Sequence, residues 1–341
     1  MTQKLQAPVL VVGQGLAGTL LAWELDARGI PFAVADDDHA TAASLVAAGL
    51  INPVTGARLA LSAEYAAHFD AARTAYEAMS AAFGERLLEP LIQYRLFDND
   101  EEIAAYERKR TKGEGDRFFS GPVAPGEIPG ARDEKGGVEI RGTWRCDVPR
   151  VLGLARKWLR ETGRLVEKAV DHAAMTPSTE GPVAWNCVNW RAVVFCEGHR
   201  VSANPWFGDL PMQCAKGETL TVRFSRPPPA ALYNRGSWLL PVDGGRLWKT
   251  GATYEWNQLD NVPTANARAV LLQRMPVRPR ESDTIERQEA GVRAITRDRK
   301  PVCLRHGRFP GLLCINGLGS KGSLIAPAMA RIAADRIESG T

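Results

Sequence analysis

The chain has 341 residues, 45% of them hydrophobic and 24% charged, the composition of an ordinary soluble globular protein with room for two domains or one large composite one. The net charge of +4, from 43 basic and 39 acidic residues, is too even to demand nucleic acid or an anionic membrane as a partner. The six cysteines form no C-x-x-C pair and no ligand spacing with the five histidines, which argues against a zinc site and against a secreted disulfide framework and leaves reduced, mostly buried thiols as the expectation.

Residues 1–8 carry no long apolar run, and the apolar stretch that follows is too short for a signal core or a membrane span. A cytoplasmic location without a membrane partner is therefore expected. Val9 to Val12 read as a buried parallel strand, followed by Gly13, Gly15 and Gly18 at G-x-G-x-x-G spacing and then by an apolar helix. Gly13 permits the tight turn, Gly15 lets a pyrophosphate approach the backbone, and Gly18 allows helix to pack on strand. Leu16 and Ala17 open the helix, whose unpaired amides and dipole favour phosphate. Gly29 and Pro31 mark a turn into "FAVAD", and Asp36 at its end can accept hydrogen bonds from a ribose. Asp37 or Asp38 would take that role if the strand ended later. A dinucleotide-binding βαβ unit follows from this order of elements.

"TAASLVAAGLINPVTGARL" (41–59) is rich in small residues, and Ala43, Ser44 and Gly49 offer a path beside the phosphates. An amphipathic helix is expected over about 62–83, a polar one at "DEEIAAYERKR", and a third after Asp147, which caps it, with Pro149 just inside and Gly163 closing it. "WRAVVFCEG" (190–198) is a second buried strand, and it ends at Gly198, where an open α/β sheet places ligand contacts. "TLTVRF", "SWLLPV" and "RLWKTGAT" predict an antiparallel sheet with one face on a pocket. "GLLCINGLGSKGSLIAPAMARIAADRI" (311–337) gives a strand, a glycine cluster and a last helix. This late return to the nucleotide fits a flavin, whose ring must be gripped far from its adenosine, better than a nicotinamide.

In the order and spacing of the Gly13, Gly15, Gly18 fingerprint with Asp36, "AASLVAAGLINP", "CAKGETLTV" (214–222), "GRLWKTGATYE" (245–255), "GVRAITRDRKP" (291–301) and "NGLGSKGSLIAPAMARIAAD", the chain resembles the D-amino-acid oxidase and glycine oxidase superfamily of FAD-dependent amine oxidoreductases. Its last third is also similar to the oxidase domain of the bifunctional enzyme that modifies the wobble uridine of bacterial tRNA, through "GSKG". The resemblance implies an α/β fold. In it, a Rossmann-like FAD-binding domain (1–60, 137–200 and 292–341) alternates with an inserted α+β substrate domain containing an antiparallel sheet (61–136 and 201–291). It further implies that Asp36, Asp37 and the late cluster Gly317, Gly319, Ser320, Lys321, Gly322 and Ser323 contact FAD. The flavin would be non-covalent, since relatives that tether it use a cysteine where Gly291 stands.

The resemblance also assigns Arg293 the carboxylate of a substrate, because a guanidinium fork matches both oxygens. Arg297, Arg299 and Lys300 read as solvated or salt-bridged cations. Two positions depart from the family: Ala294 replaces a proline, and Trp238 stands where glycine oxidase-like enzymes place a tyrosine. Trp238, Trp248 and Tyr254 are either pocket aromatics or core. The implied chemistry is oxidation of the C–N bond of an amino acid or N-alkyl glycine-like amine, with hydride passing to flavin N5 and then electrons to O2 or a carrier, and with negative charge on the flavin met by the amides of Gly319 to Gly322 and by Lys321. The alternatives are a tRNA-modifying oxidase acting on a carboxymethylaminomethyl group, a 2-hydroxy-acid dehydrogenase, and a flavin-binding scaffold without turnover.

Overall fold

A computed structural model describes residues 8–38, 42–56 and 58–340. The stretch before Pro8, and Thr41 and Ala57 of the small-residue stretch, lie outside the described residues. Val9–Val12 sits in the middle of a six-stranded sheet, parallel to Phe32–Ala35 on one side and to Ala192–Phe195 on the other. Leu165–Val166 and Leu312–Asn316 extend it in parallel, and Val302–Arg305 closes one edge antiparallel. Strands covered on both faces need continuous apolar sequence, and Val9–Val12, Ala192–Phe195 and Leu312–Asn316 are buried along their whole length.

The helices Leu16–Ala27, Val148–Glu161 and Gly322–Ser339 pack on this sheet through one core. The Val148–Glu161 helix has its expected cap: the Asp147 carboxylate accepts from the Arg150 amide at 3.3 Å, and Pro149 lies in the first turn. Ser62 caps Ala63–Phe83 through the Tyr65 amide, and Asn99 caps Asp100–Thr111 through the Glu102 amide. The acidic first turn and basic last turn of the Asp100–Thr111 helix complement its dipole.

The second sheet is large and mostly antiparallel. Its order is Thr284–Arg293, Ala215–Arg223, Leu247–Gly251, Ser237–Val242, Leu232–Arg235, Leu88–Leu96, Gly137–Cys146 and Leu50–Ile51, with Phe119–Val123 added on Gly137–Cys146. Leu232–Arg235 and Leu88–Leu96 pair in parallel. Gly137–Cys146, grouped by sequence with the nucleotide-binding segments, pairs instead with Leu88–Leu96 in this sheet. Trp248 is core here, packed against Phe224 and Tyr233. A three-stranded antiparallel sheet, Thr176–Pro177, Val183–Trp185 and Val188–Trp190, completes the architecture.

Among the described residues no helix is long and apolar enough to cross a membrane, and no three His, Cys, Asp or Glu side chains cluster to hold a metal. The cysteines are free thiols; Cys146, Cys196, Cys303 and Cys314 are buried, and burial raises their pKa values.

Candidate active site

A cavity of about 710 Å³ runs from the carboxyl ends of the parallel strands to the inner face of the large sheet. Strand ends are where an open α/β sheet leaves a crevice, and Gly13, Asp36 and Gly198, each on it, follow Val12, Ala35 and, after Cys196 and Glu197, Phe195. Gly13 has φ +97°, and a Cβ there would come within 2.7 Å of Cys196 O. The Leu16–Ala27 helix starts at Gly15 with no side-chain cap. Of its first amides, Leu16 N–H donates to Ser44 Oγ at 3.2 Å, so the small-residue segment is tied to the phosphate turn. Gly15, Leu16, Ala17, Ala43, Ser44 and Gly49 all line the cavity.

Gly18 does not. A side chain there would collide with the Gly13 carbonyl, so Gly18 supports the turn from beneath. Gly317 also lies off the cavity; it turns the chain with φ +74° against Thr296. Its neighbour Asn316, which sequence reasoning passed over, ties the two strand ends together by donating from Nδ2 to Gly198 O at 2.8 Å.

Asp36 is positioned from two sides. The Gln14 amide donates to Oδ2 at 2.7 Å, and Arg156 Nη1 donates to Oδ1 at 2.8 Å. Arg156 was missed, although it interrupts the buried stripe Leu152, Ala155, Leu159 of its helix, where a cation demands a buried acid. Asp37 lines the cavity at the same end, 3.8 Å from Arg200. Burial there, together with the neighbouring Arg200 guanidinium, lowers the His199 pKa.

At the other end Arg293 is the last residue of Thr284–Arg293, opposite Ala215. Its neighbours in sequence Arg297, Arg299 and Lys300 are exposed, whereas Arg293 reaches over Gly217 into the cavity. Nη1 donates to Thr253 O at 3.1 Å, and the Tyr254 ring centroid lies 4.4 Å from Cζ. No carboxylate among the described residues pairs with it. Desolvation pulls its pKa down, yet a guanidinium keeps its proton, so the cavity wall carries an uncompensated positive charge. Gly217 was missed as a site residue; its signal was a glycine inside a strand, which marks a close approach.

Trp238 lines the cavity, and a Cβ on Gly251 would meet its Cζ2 at 2.7 Å. Tyr254 stacks on Trp256 at 6.0 Å in the loop after Gly251. Lys216, fully buried, holds that loop by donating to Asp260 and to Val262 O, while its backbone pairs with Glu255. Gly319, Ser320, Lys321, Gly322 and Ser323 line the cavity at the start of the Gly322–Ser339 helix. Two of these donors are already engaged: the Gly319 amide donates to Ala294 O at 2.9 Å, and Lys321 Nζ to Glu64 Oε2 at 2.9 Å. Lys321 is therefore an ion-paired group at the rim.

A cavity with an uncapped helix start and a ribose-type acid at one end, and a second helix start with a free cation at the other, fits a dinucleotide whose far half is a ring system. That defines an FAD-binding oxidoreductase. Residues 8–336 match the family model described as FAD dependent oxidoreductase, and the chain belongs to that family. It is an FAD-dependent enzyme.

The fold is shared with glycine oxidase from Geobacillus kaustophilus, with TM-score 0.81 and 21% identity over 98% of this chain and 95% of that one. It is shared as well with iminodiacetate oxidase from a Chelativorans species, with TM-score 0.80 and 19% identity over 97% and 95%. Among curated proteins the chain is 27% identical to the tRNA 5-methylaminomethyl-2-thiouridine biosynthesis bifunctional protein MnmC of Caulobacter vibrioides, over 94% of this chain and 52% of that protein. The chain thus spans about half the length of the curated relatives it matches.

Proposed function

We propose that the protein oxidises the carbon–nitrogen bond of an amino acid or N-alkyl glycine-like amine whose carboxylate is held by Arg293. The observation that carries this reading is the unpaired Arg293 guanidinium inside the cavity. A half-buried cation facing a cavity without an acid calls for an anionic ligand, and its planar fork matches a carboxylate. Glycine oxidase and iminodiacetate oxidase, which share the fold, are named for substrates that are such acids.

FAD, when bound, supplies the acceptance of two electrons. The chain's own residues bind and orient. Arg293 fixes the carboxylate, which restricts where the α-carbon can lie. Tyr254 covers one side of the guanidinium and limits water around it. Trp238 walls the pocket with a single N–H donor and no acceptor. The start of the Gly322–Ser339 helix lines the same cavity, and its positive end would stabilise negative charge on a flavin held there. Once the substrate has lost a hydride and the amine proton, the resulting imine hydrolyses in water.

The test is anaerobic bleaching of the bound flavin by a panel of amino acids, N-alkyl glycines and 2-hydroxy acids. Amines bleach it on this reading; bleaching by hydroxy acids alone would replace it with hydroxy-acid dehydrogenation. Arg293→Ala should lower kcat/KM for carboxylate amines by about 30-fold or more, the worth of about 2–5 kcal/mol for truncating a buried charge pair, with flavin content retained.

A second reading is oxidation of a carboxymethylaminomethyl group on tRNA. It draws on the likeness to MnmC and on the Tyr254–Trp256 stack at the cavity, 53% and 44% exposed, which offers π-faces to a base. Bleaching by modified tRNA and by no free amine would favour it.

A further inference from the structure

One row of the large sheet runs along the cavity wall. Thr219 faces Gly251, Gly251 faces Trp238, Trp238 faces Asn234, and Asn234 faces Arg95 on adjacent strands. Opposed residues share a face, and the first four line the cavity. Arg95 and Glu102 lie behind them, buried and paired, with Nη2 to Oε1 at 2.7 Å. The other Glu102 oxygen accepts from the Asp98 amide at 3.0 Å. Arg95 Nη1 then donates to Asn234 Oδ1 at 2.6 Å.

This last bond settles which way the Asn234 amide points. Arginine has only donors, so Asn234 must give it the oxygen, and a flipped amide would press NH2 against guanidinium. Asn234 Nδ2 is thereby fixed as a donor, and it has no acceptor among the described residues. Thr219 Oγ1, buried in the same row, also lacks a partner. Together with Arg293, the substrate wall offers donors at two separated places. The guanidinium stands over Gly217, on the strand Ala215–Arg223, and Asn234 is three strands further on. Three strand spacings are about 14 Å and the two residues from Thr219 to Gly217 about 7 Å along the strand, so the two backbone positions stand about 16 Å apart; an extended two-residue-sized ligand of about 7 Å with a hydrogen bond of about 3 Å at each end covers most of that span, and the Asn234 side chain reaches across the rest.

We propose that Asn234 is a specificity-determining residue. Its Nδ2 group, aimed by the Arg95–Glu102 pair, donates to a hydrogen-bond acceptor at the end of the substrate opposite the carboxylate. The pocket then prefers N-substituted glycines whose substituent ends in a carbonyl or carboxylate oxygen over those ending in hydrocarbon. This rests on the amine-oxidation reading above. Arg95 is a positioning residue in this arrangement.

The experiment compares N-(2-oxopropyl)glycine, whose ketone accepts but cannot donate, with N-isobutylglycine, which has nearly the same shape, by the rate of flavin bleaching in the holoenzyme. Wild type should favour the ketone in kcat/KM by about 3- to 10-fold, the worth of one neutral hydrogen bond. Asn234→Asp still accepts from Arg95 but cannot donate, so it should bring the ratio to one or below, mainly through KM of the ketone. Arg95→Met should lose the same preference; if that variant does not fold, Asn234→Asp decides. A ratio unchanged by Asn234→Asp overturns the donor assignment alone. Failure of every amine to bleach the wild-type flavin overturns the amine-oxidation reading, and this assignment with it.

Discussion

Gly217 lies directly beneath the Arg293 guanidinium, so that a Cβ at position 217 would occupy the space the guanidinium fills. The two residues are one feature: a cation brought over the sheet and a strand position left bare to admit it. Gly217→Ala should therefore act like a displaced Arg293 while the charge remains. Carboxylate ligands titrated against the flavin spectrum are expected to bind about 10- to 100-fold more weakly, the range for a charged hydrogen bond of about 1.5–3 kcal/mol. Flavin content should be unaltered. Wild-type affinity in this variant would mean that the guanidinium is not where carboxylates bind.

The nucleotide half of the site was legible in the sequence because its requirements are local. A strand, a glycine turn, a helix start and an acid within residues 9–36 are dictated by backbone conformation, and the structure places Gly13, Gly15 and Asp36 together on the cavity. The misreadings concern partners distant in sequence. Lys321 looked free for a flavin until the Ala63–Phe83 helix brought Glu64 to it. Gly317 belongs to a motif at the cavity yet serves turning, whereas Gly18 packs helix on strand, the role its place in the fingerprint gave it. Asn234 and Arg156 carried no motif, since their contacts depend on strand register and on a helix crossing from more than 100 residues away.

Asp36 and Arg156 form a buried pair, with only 9% and 8% of their side chains exposed. Removing one partner leaves the other charge without compensation. Asp36→Ala should cost about 3 kcal/mol, the lower end for a broken buried pair, because Glu167 stands 3.4 Å from Arg156 as a second acid. The same variant should lose FAD during gel filtration. Equilibrium urea unfolding of the flavin-free proteins separates the two effects, and an Asp36→Ala chain as stable as wild type would show that Glu167 takes over the pairing.

Gly291 packs against the small-residue helix, and a Cβ there would stand 3.1 Å from Ala43 Cα, which leaves no room for a longer thiol side chain without movement. The one thiol on the cavity, Cys196, is buried, and burial holds its pKa well above the usual thiol range. No thiolate is thus offered to a flavin ring. Acid precipitation should release the yellow cofactor wholly into the supernatant, and colour retained in the washed pellet would contradict this.

The Glu64–Lys321 pair ties the first long helix to the rim of the cavity, and its pH dependence has a definite sign. The hydrogen bond from Lys321 lowers the Glu64 pKa below its ordinary 4.5. A carboxylate with a depressed folded pKa stabilises the folded chain above that ordinary value, and the contribution is lost as pH falls through the lowered one. Both side chains are more than a third exposed or close to it, so solvent screening limits the worth to about 0.5 kcal/mol. Glu64→Gln should therefore unfold at slightly lower urea than wild type at pH 7, with the gap closing towards pH 3 and shrinking in high salt at neutral pH. A gap that stays constant from pH 7 to pH 3 would mean that packing around residue 64, rather than its charge, joins the two helices.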